Sequence, residues 1–338
     1  MTGAVYDRGY RAYEGERGGR SAARAALFRA SVRRALGLRR PWRQKVAPFV
    51  LLGIATVPAI VYVGVAYVTR NTIASDFEFI TYRDYVGVSN TLLVFVALTA
   101  PDIVCPDRRQ RVLPLLFARP LTGFDYVLTK VGAMFAILFA FSFVPQMVLF
   151  LGQMLVSDDG ALQYARDNAE VLWQVPIAVA LLAIFYAAIG VAVASMTSRR
   201  IIGGATIVGL FLVTSIVSAA LVGPQVVVSE GRGGTSSQVI TEDGEVIEVP
   251  GGTDEGTTDF GEFGDETVVD YGEPSAAALL DLLSLPLVLR DLVFLGAVEE
   301  VHPMSGLANG GLYAILVFVL IVGAAFVVLF VRYDEVER

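Results

Sequence analysis

The sequence predicts an all-α polytopic membrane protein: six transmembrane helices, both termini inside, an amphipathic N-terminal helix at the interface, and a broken outer helical pair before the last span. Three observations predict it. Hydrophobic residues make up 55% of the 338 and charged residues only 17%, with a mean hydropathy of +0.62. Six segments, 47–68, 85–104, 131–156, 173–196, 201–222 and 308–331, are apolar throughout. Each is close to the roughly 20 residues that cross a ~30 Å hydrocarbon core. Their interiors carry essentially no Asp, Glu, Lys or Arg; Asp102 sits at the inner end of the second segment. A charge at the bilayer centre costs roughly 2.5–3.5 kcal/mol on insertion scales, so spans exclude it.

Orientation follows from the cations. With the N-terminus inside, 21 of the 26 Lys and Arg residues fall on the cytoplasmic side. That asymmetry sets an N-in, C-in topology. The first apolar run begins too far from the N-terminus, and is too long, for a cleaved signal peptide. Of the 33 acidic residues, 24 fall outside, 13 of them in 223–275, where only Arg232 opposes them. That charge argues against a nucleic-acid partner on that face. Only Lys45 and Lys130 stand beside 24 arginines. The acidic exterior and scarce lysine lead us to expect a prokaryotic, salt-adapted cell membrane. Full stability without molar salt would count against that adaptation. The lone Cys105 permits no internal disulfide and reads as a small apolar residue at a helix end.

Residues 1–46 form a cytoplasmic basic arm. Within it, 17–43 read as an amphipathic helix, with Ala25, Phe28, Val32 and Leu36 on one face. Arg29, Arg33 and Arg40 project from its flank, with Arg34 further round. Such a helix lies in the inner interface, where each Arg gains about 1 kcal/mol from anionic lipid. Pro41 marks the bend into the first span.

Residues 47–222 hold spans one to five. Pro58, Pro145 and Pro176 bend spans one, three and four. The turn 197–200 is so short that spans four and five must be antiparallel neighbours. Gly203, Gly204 and Gly209 in span five, and Gly310, Gly311 and Gly323 in span six, allow close helix approach. Neutral polar groups such as Gln146, Thr206 and Ser218 suit helix–helix hydrogen bonds.

The segment 106–130 between spans two and three is too elaborate for a connector. Asp107, Arg108, Arg109 and Arg111 leave span two. Residues 109–118 are expected to form a short helix that buries Val112, Leu113, Leu116 and Phe117, with Pro114 in its first turn. Arg119 and Pro120 end it. Thr122 and Asp125 then have the spacing of a capping box, which starts a new helix through Tyr126 and Lys130.

Residues 223–275 are an acidic outer loop, largely disordered, with a β-hairpin centred on Asp243–Gly244. Residues 276–307 form two short outer helices on either side of Pro286, with Asp281, Arg290 and Asp291 facing water or protein. Span six and a short cytoplasmic tail, 332–338, close the chain.

Several chemistries are missing. No G-x-x-x-x-G-K-[ST] motif occurs; the glycine cluster at 230–237 lacks the lysine that reaches a phosphate. His302 is the single histidine, so a histidine-rich zinc site cannot be built around Glu299 and Glu300. No G-x-S-x-G elbow occurs. No cofactor, metal or catalytic residue is therefore expected in this chain.

The segment after span two resembles that of the membrane permease subunits of ABC type-2 transporters, mostly exporters. Their pattern is an acidic residue, then Gly-Thr-Leu-x-Leu-Leu, Pro-[Ile/Leu]-[Ser/Thr], an aromatic or Leu, and Lys. This chain supplies Asp107, Leu113, Leu115, Leu116, Pro120, Leu121, Thr122, Tyr126 and Lys130, and departs at Arg111-Val112, where the pattern has Gly-Thr. The stretch 9–15, GYRAYEG, is similar to the Tyr- and Gly-rich lead-in of some members.

The resemblance implies a half-transporter without its own nucleotide site. It would pair with a second permease subunit, and each would dock a separate ATPase that binds ATP and Mg. Asp107, Arg108, Arg109, Arg111, Leu113, Leu116, Phe117, Arg119, Pro120, Thr122, Asp125, Tyr126 and Lys130 would form the contact that couples ATPase to spans. Arg199 and Arg200 would add a second contact. Two rival readings stand beside it. One is a six-span sensor or assembly factor with an acidic outer binding region. The other is an ion-coupled carrier, which the neutral span interiors disfavour.

Overall fold

The computed structural model describes residues 18–38, 42–69, 81–86, 89–117, 121–157, 160–222, 226–227, 236–240, 246–250, 269–270, 276–298, 302, 307 and 309–337. The helices are α1 (Arg20–Ala35), α2 (Trp42–Thr69), α3 (Tyr82–Val86), α4 (Ser89–Arg109), α5 (Leu113–Phe117) and α6 (Gly123–Val156). After them come α7 (Ala161–Asp167), α8 (Val171–Met196), α9 (Arg200–Val222), α10 (Leu285–Leu295) and α11 (Gly310–Glu337). Five helices among the described residues are long and apolar enough to cross a membrane: α2, α6, α8, α9 and α11. They make the chain compatible with a multi-pass membrane protein. α4 has comparable length, but it carries Asp102, Asp107, Arg108 and Arg109 toward its C-terminal end.

α8 is the centre of the bundle. Its apolar stretch is 72% buried, against 11% for α2 and 17% for α9 and α11. It packs against α4, α6, α9, α10 and α11. Phe185 and Tyr186 of α8 stack with Phe318 of α11 and Phe211 of α9.

Glycines set two close crossings. A Cβ on Gly204 of α9 would lie 2.7 Å from the Ala97 carbonyl oxygen of α4. That oxygen lacks its helical partner because Pro101, four residues on, has no N–H. A Cβ on Gly190 of α8 would meet Val96 at 2.4 Å. Gly203 and Gly311 also sit against neighbours, but Gly209 and Gly323 face open space, contrary to the expectation for them.

Three other sequence expectations need correction. α1 ends at Ala35 rather than running to 43, since Gly37 turns the chain at φ 65. Arg40 and Pro41 lie outside the described residues. The short helix after α4 covers Leu113–Phe117 rather than 109–118, because α4 itself continues to Arg109. In the outer pair the break falls before Pro286. A 3-10 turn spans Ala276–Leu280, and Pro286 occupies the first turn of α10, where a missing N–H costs little.

Arg290 and Asp291 of α10 are buried and paired at 2.7 Å, so they face protein. Ser218 of α9 donates to the Ala277 carbonyl, and Gln146 of α6 to that of Tyr82. Within 223–275 two small antiparallel strand pairs are described, β1 (Val226–Val227) with β4 (Val269–Asp270) and β2 (Ser236–Ile240) with β3 (Val246–Pro250). The second pair brackets Asp243–Gly244, which itself lies outside the described residues.

Candidate functional site

The polar groups concentrate where α1, the C-terminal end of α4, α5, the start of α6 and the α8–α9 turn converge. Two carboxylates of α4 organise this end. Asp102 and Asp107 are five residues apart, so they point about 140° apart around the helix. Asp107 faces α1 and α6; Asp102 faces α9.

Asp107 is 3% exposed and has three partners. One oxygen accepts from Arg34 of α1. The other accepts from the Tyr126 hydroxyl at 3.0 Å and lies 2.6 Å from the Lys130 ammonium. Lys130 also donates to the Ile103 carbonyl at 2.9 Å and sits 5.3 Å from the Tyr126 ring centre. Tyr126 and Lys130 are four residues apart, hence on one face of α6. Burial pushes the Asp107 carboxyl upward, but Lys130 and Arg34 outweigh it and hold the group below the ordinary carboxylate range.

A second cluster caps α6. Thr122 accepts from the Asp125 N–H at 3.3 Å, and the Asp125 carboxylate accepts from the Thr122 N–H at 3.3 Å. This is the capping box expected from the sequence. Arg20 and Arg24 of α1 then reach the two Asp125 oxygens, each at 2.5 Å. Arg20 also donates to the Thr122 hydroxyl at 3.0 Å. A carboxylate in the first turn of a helix is further favoured by the backbone dipole.

On the opposite flank, Arg200 pairs with Asp102, and Arg108 donates to the Ser195 carbonyl at the end of α8. The end of α4 is thereby tied to α1, α6, α8 and α9 at once.

This placement sorts the predicted coupling residues. Asp107, Tyr126, Lys130, Asp125 and Leu113 are buried among the chain's own elements. Asp107, Tyr126 and Lys130 bind one another, and Asp125 is held by Thr122, Arg20 and Arg24. Leu116 and Thr122 are half-buried. Arg109, Arg111, Arg199 and Arg200 are exposed, and Arg108 is partly so. Arg119 and Pro120 lie outside the described residues, as does the Phe117 side chain.

Arg111 takes φ 51, a conformation that glycine adopts without steric cost. The chain reverses there between α4 and α5, and the Val112 N–H returns to the Asp107 carbonyl at 3.1 Å.

The interfacial-helix residues divide as well. Phe28, Val32 and Leu36 are half-buried, and Arg29 and Arg33 are exposed. Arg34 pairs with Asp107 instead of projecting outward. The deepest positions of α1 are Leu27, Ser31 and Ala35, one helical step away from the apolar face expected.

The sequence reading missed Arg20, Arg24 and Arg34 as partners of the two carboxylates, and Arg200 as the partner of Asp102. One signal pointed to them. Asp107 and Asp125 are the only acids in 106–130, inside an otherwise basic segment.

No protein-family model matches the chain, no curated protein matches it, and no solved structure matches it.

Proposed function

We propose that the chain is the membrane-spanning permease subunit of an ATP-driven ABC transporter of exporter type. In this reading the apolar stretches of α2, α4 (up to residue 104), α6, α8, α9 and α11 are the six spans, and the end that carries the ion pairs lies outside them and faces the cytoplasm. A second permease subunit completes the pore, and each copy docks a separate ATPase that supplies the ATP and Mg site.

The observation that carries the reading is how α5 is held. A five-residue helix has no stability of its own in water. Here it is strung between two helix ends that Asp107, Tyr126 and Lys130 lock together. A push on α5 therefore reaches α4 and α6 rather than dissipating in a loop. Arg109, Arg111, Arg199 and Arg200 leave exposed positive charge beside it. Carboxylates on a docking ATPase would find their register there.

The test is co-expression with a P-loop ATPase. A complex should form, and its ATP hydrolysis should depend on this chain. Arg109→Glu combined with Arg111→Glu should weaken that dependence. If no ATPase co-purifies and the double variant functions normally, the reading fails.

A further inference from the structure

α1 carries two parallel lines of residues about 100° apart around its axis. One is apolar, Phe28, Val32 and Leu36; the other is basic, Arg29 and Arg33. The apolar line forms one wall of a cleft of about 340 Å3, closed by Leu52 of α2, Phe95 of α4 and Phe141 of α6. Among the described residues no polar side chain lines it. Arg20, Arg24 and Arg34 have their carboxylates, whereas Arg29 and Arg33 are exposed and have none among the described residues.

We propose that this cleft binds one anionic phospholipid of the surrounding bilayer. An acyl chain fills the apolar cleft, and the phosphate sits against Arg29 and Arg33. The chemistry of both halves favours this occupant. An all-apolar wall rejects a headgroup, since an unpaired polar group there has no partner. Two exposed cations on the adjoining line of α1, each next in sequence to a residue of the cleft wall, select negative charge over a zwitterion. A partner helix would cover the cleft but would leave the arginine line unmatched. The lipid then acts as a wedge that completes the packing of α1 on α2 and α6. The proposal rests on the chain lying in a bilayer and is independent of any ATPase.

Native mass spectrometry of the full chain in detergent tests it, with phosphatidylglycerol and phosphatidylcholine titrated separately. The wild type should retain one phosphatidylglycerol per chain and bind phosphatidylcholine far more weakly. Arg29→Gln with Arg33→Gln, both exposed, should lower phosphatidylglycerol affinity by about thirtyfold, the loss of two arginine–headgroup attractions. Ala140→Phe fills the cleft and should abolish retention of either lipid. Equal retention of the two lipids by the wild type would overturn the proposal, as would unchanged binding in the double arginine variant. Should Ala140→Phe fold poorly, the arginine variant alone decides.

Discussion

Lys130 of α6 and Asp107 of α4 meet at 2.6 Å with both side chains almost completely buried. Removing Asp107 leaves the buried Lys130 ammonium with only the Ile103 carbonyl, whereas removing Lys130 leaves Asp107 still held by Arg34 and Tyr126. Asp107→Leu should destabilise the protein by about 3–5 kcal/mol, the usual cost of leaving half of a buried pair uncompensated, and Lys130→Met should cost less because Arg34 still faces the carboxylate. Asp107→Leu together with Lys130→Met should recover much of that loss, because both charges go together. Thermal unfolding in detergent of the two single variants and the double variant measures the difference. Additive losses in the double variant would mean that the pair is not coupled.

Asp107 also predicts a pH response. Its carboxyl is held below the ordinary range, so the folded protein binds that proton less readily than the unfolded chain, where Asp titrates near 3.9. The stabilisation is complete above roughly pH 4 and is lost as pH falls through the lowered folded value. Asp107→Asn should be less stable at neutral pH and show a flatter acid limb. Melting temperature followed from pH 6 downward reads both.

Gly204 and Gly209 lie on the same helix and should respond oppositely. Gly204→Ala puts a methyl 2.7 Å from the Ala97 carbonyl oxygen, and backbone cannot yield cheaply. It should destabilise by roughly 1–3 kcal/mol, as overpacking does. Gly209→Ala meets open space and should be neutral or stabilising by up to about 1 kcal/mol, the helix-propensity gain. Parallel melting curves of the two variants check the contrast.

Arg111 offers a stabilising change. With φ at 51, the left-handed region, an arginine carries a cost of roughly 1–2 kcal/mol that glycine avoids. Arg111→Gly should therefore raise stability, less the extra freedom it gives the unfolded chain. The same substitution should weaken ATPase docking if the positive charge contributes there. A rise in melting temperature with reduced ATPase stimulation separates the two roles of the residue.

Asp125→Ala should release α1. It removes the reciprocal half of the α6 capping box, the carboxylate that accepts from the Thr122 N–H, and leaves Arg20 and Arg24 without their carboxylate. Hydrogen exchange over 20–35 should accelerate more than exchange over 171–196. Uniform acceleration would point to a global loss instead.

The helices of this fold were legible because apolar length is a local property. The capping box at Thr122 and Asp125 was legible for the same reason, as its two partners are three residues apart. The ion pairs were not, since Arg20 finds Asp125 across 105 residues and Arg34 finds Asp107 across 73. Composition shows both charges and says nothing of which helix crosses which. The resemblance motif marked Asp107, Tyr126 and Lys130 as a set. Read as a docking surface, the set belonged outside; its geometry turns it inward. Arg111 illustrates the converse case: its φ of 51 is a conformation that glycine adopts without steric cost, yet the sequence places an arginine there.

The partners of α1 have a consequence for how the protein is made. Its arginines leave the ribosome long before the carboxylates that hold them. At about 5–20 residues per second, Asp125 follows Arg20 by roughly 5–20 s. For that interval the first helix is a ligand awaiting its receptor, and its seat exists only once α4 and the start of α6 have been inserted. Nascent chains arrested before Asp107 should carry α1 open to protease, whereas chains arrested well beyond Lys130 should protect it. A helix synthesised early is thus among the last to settle.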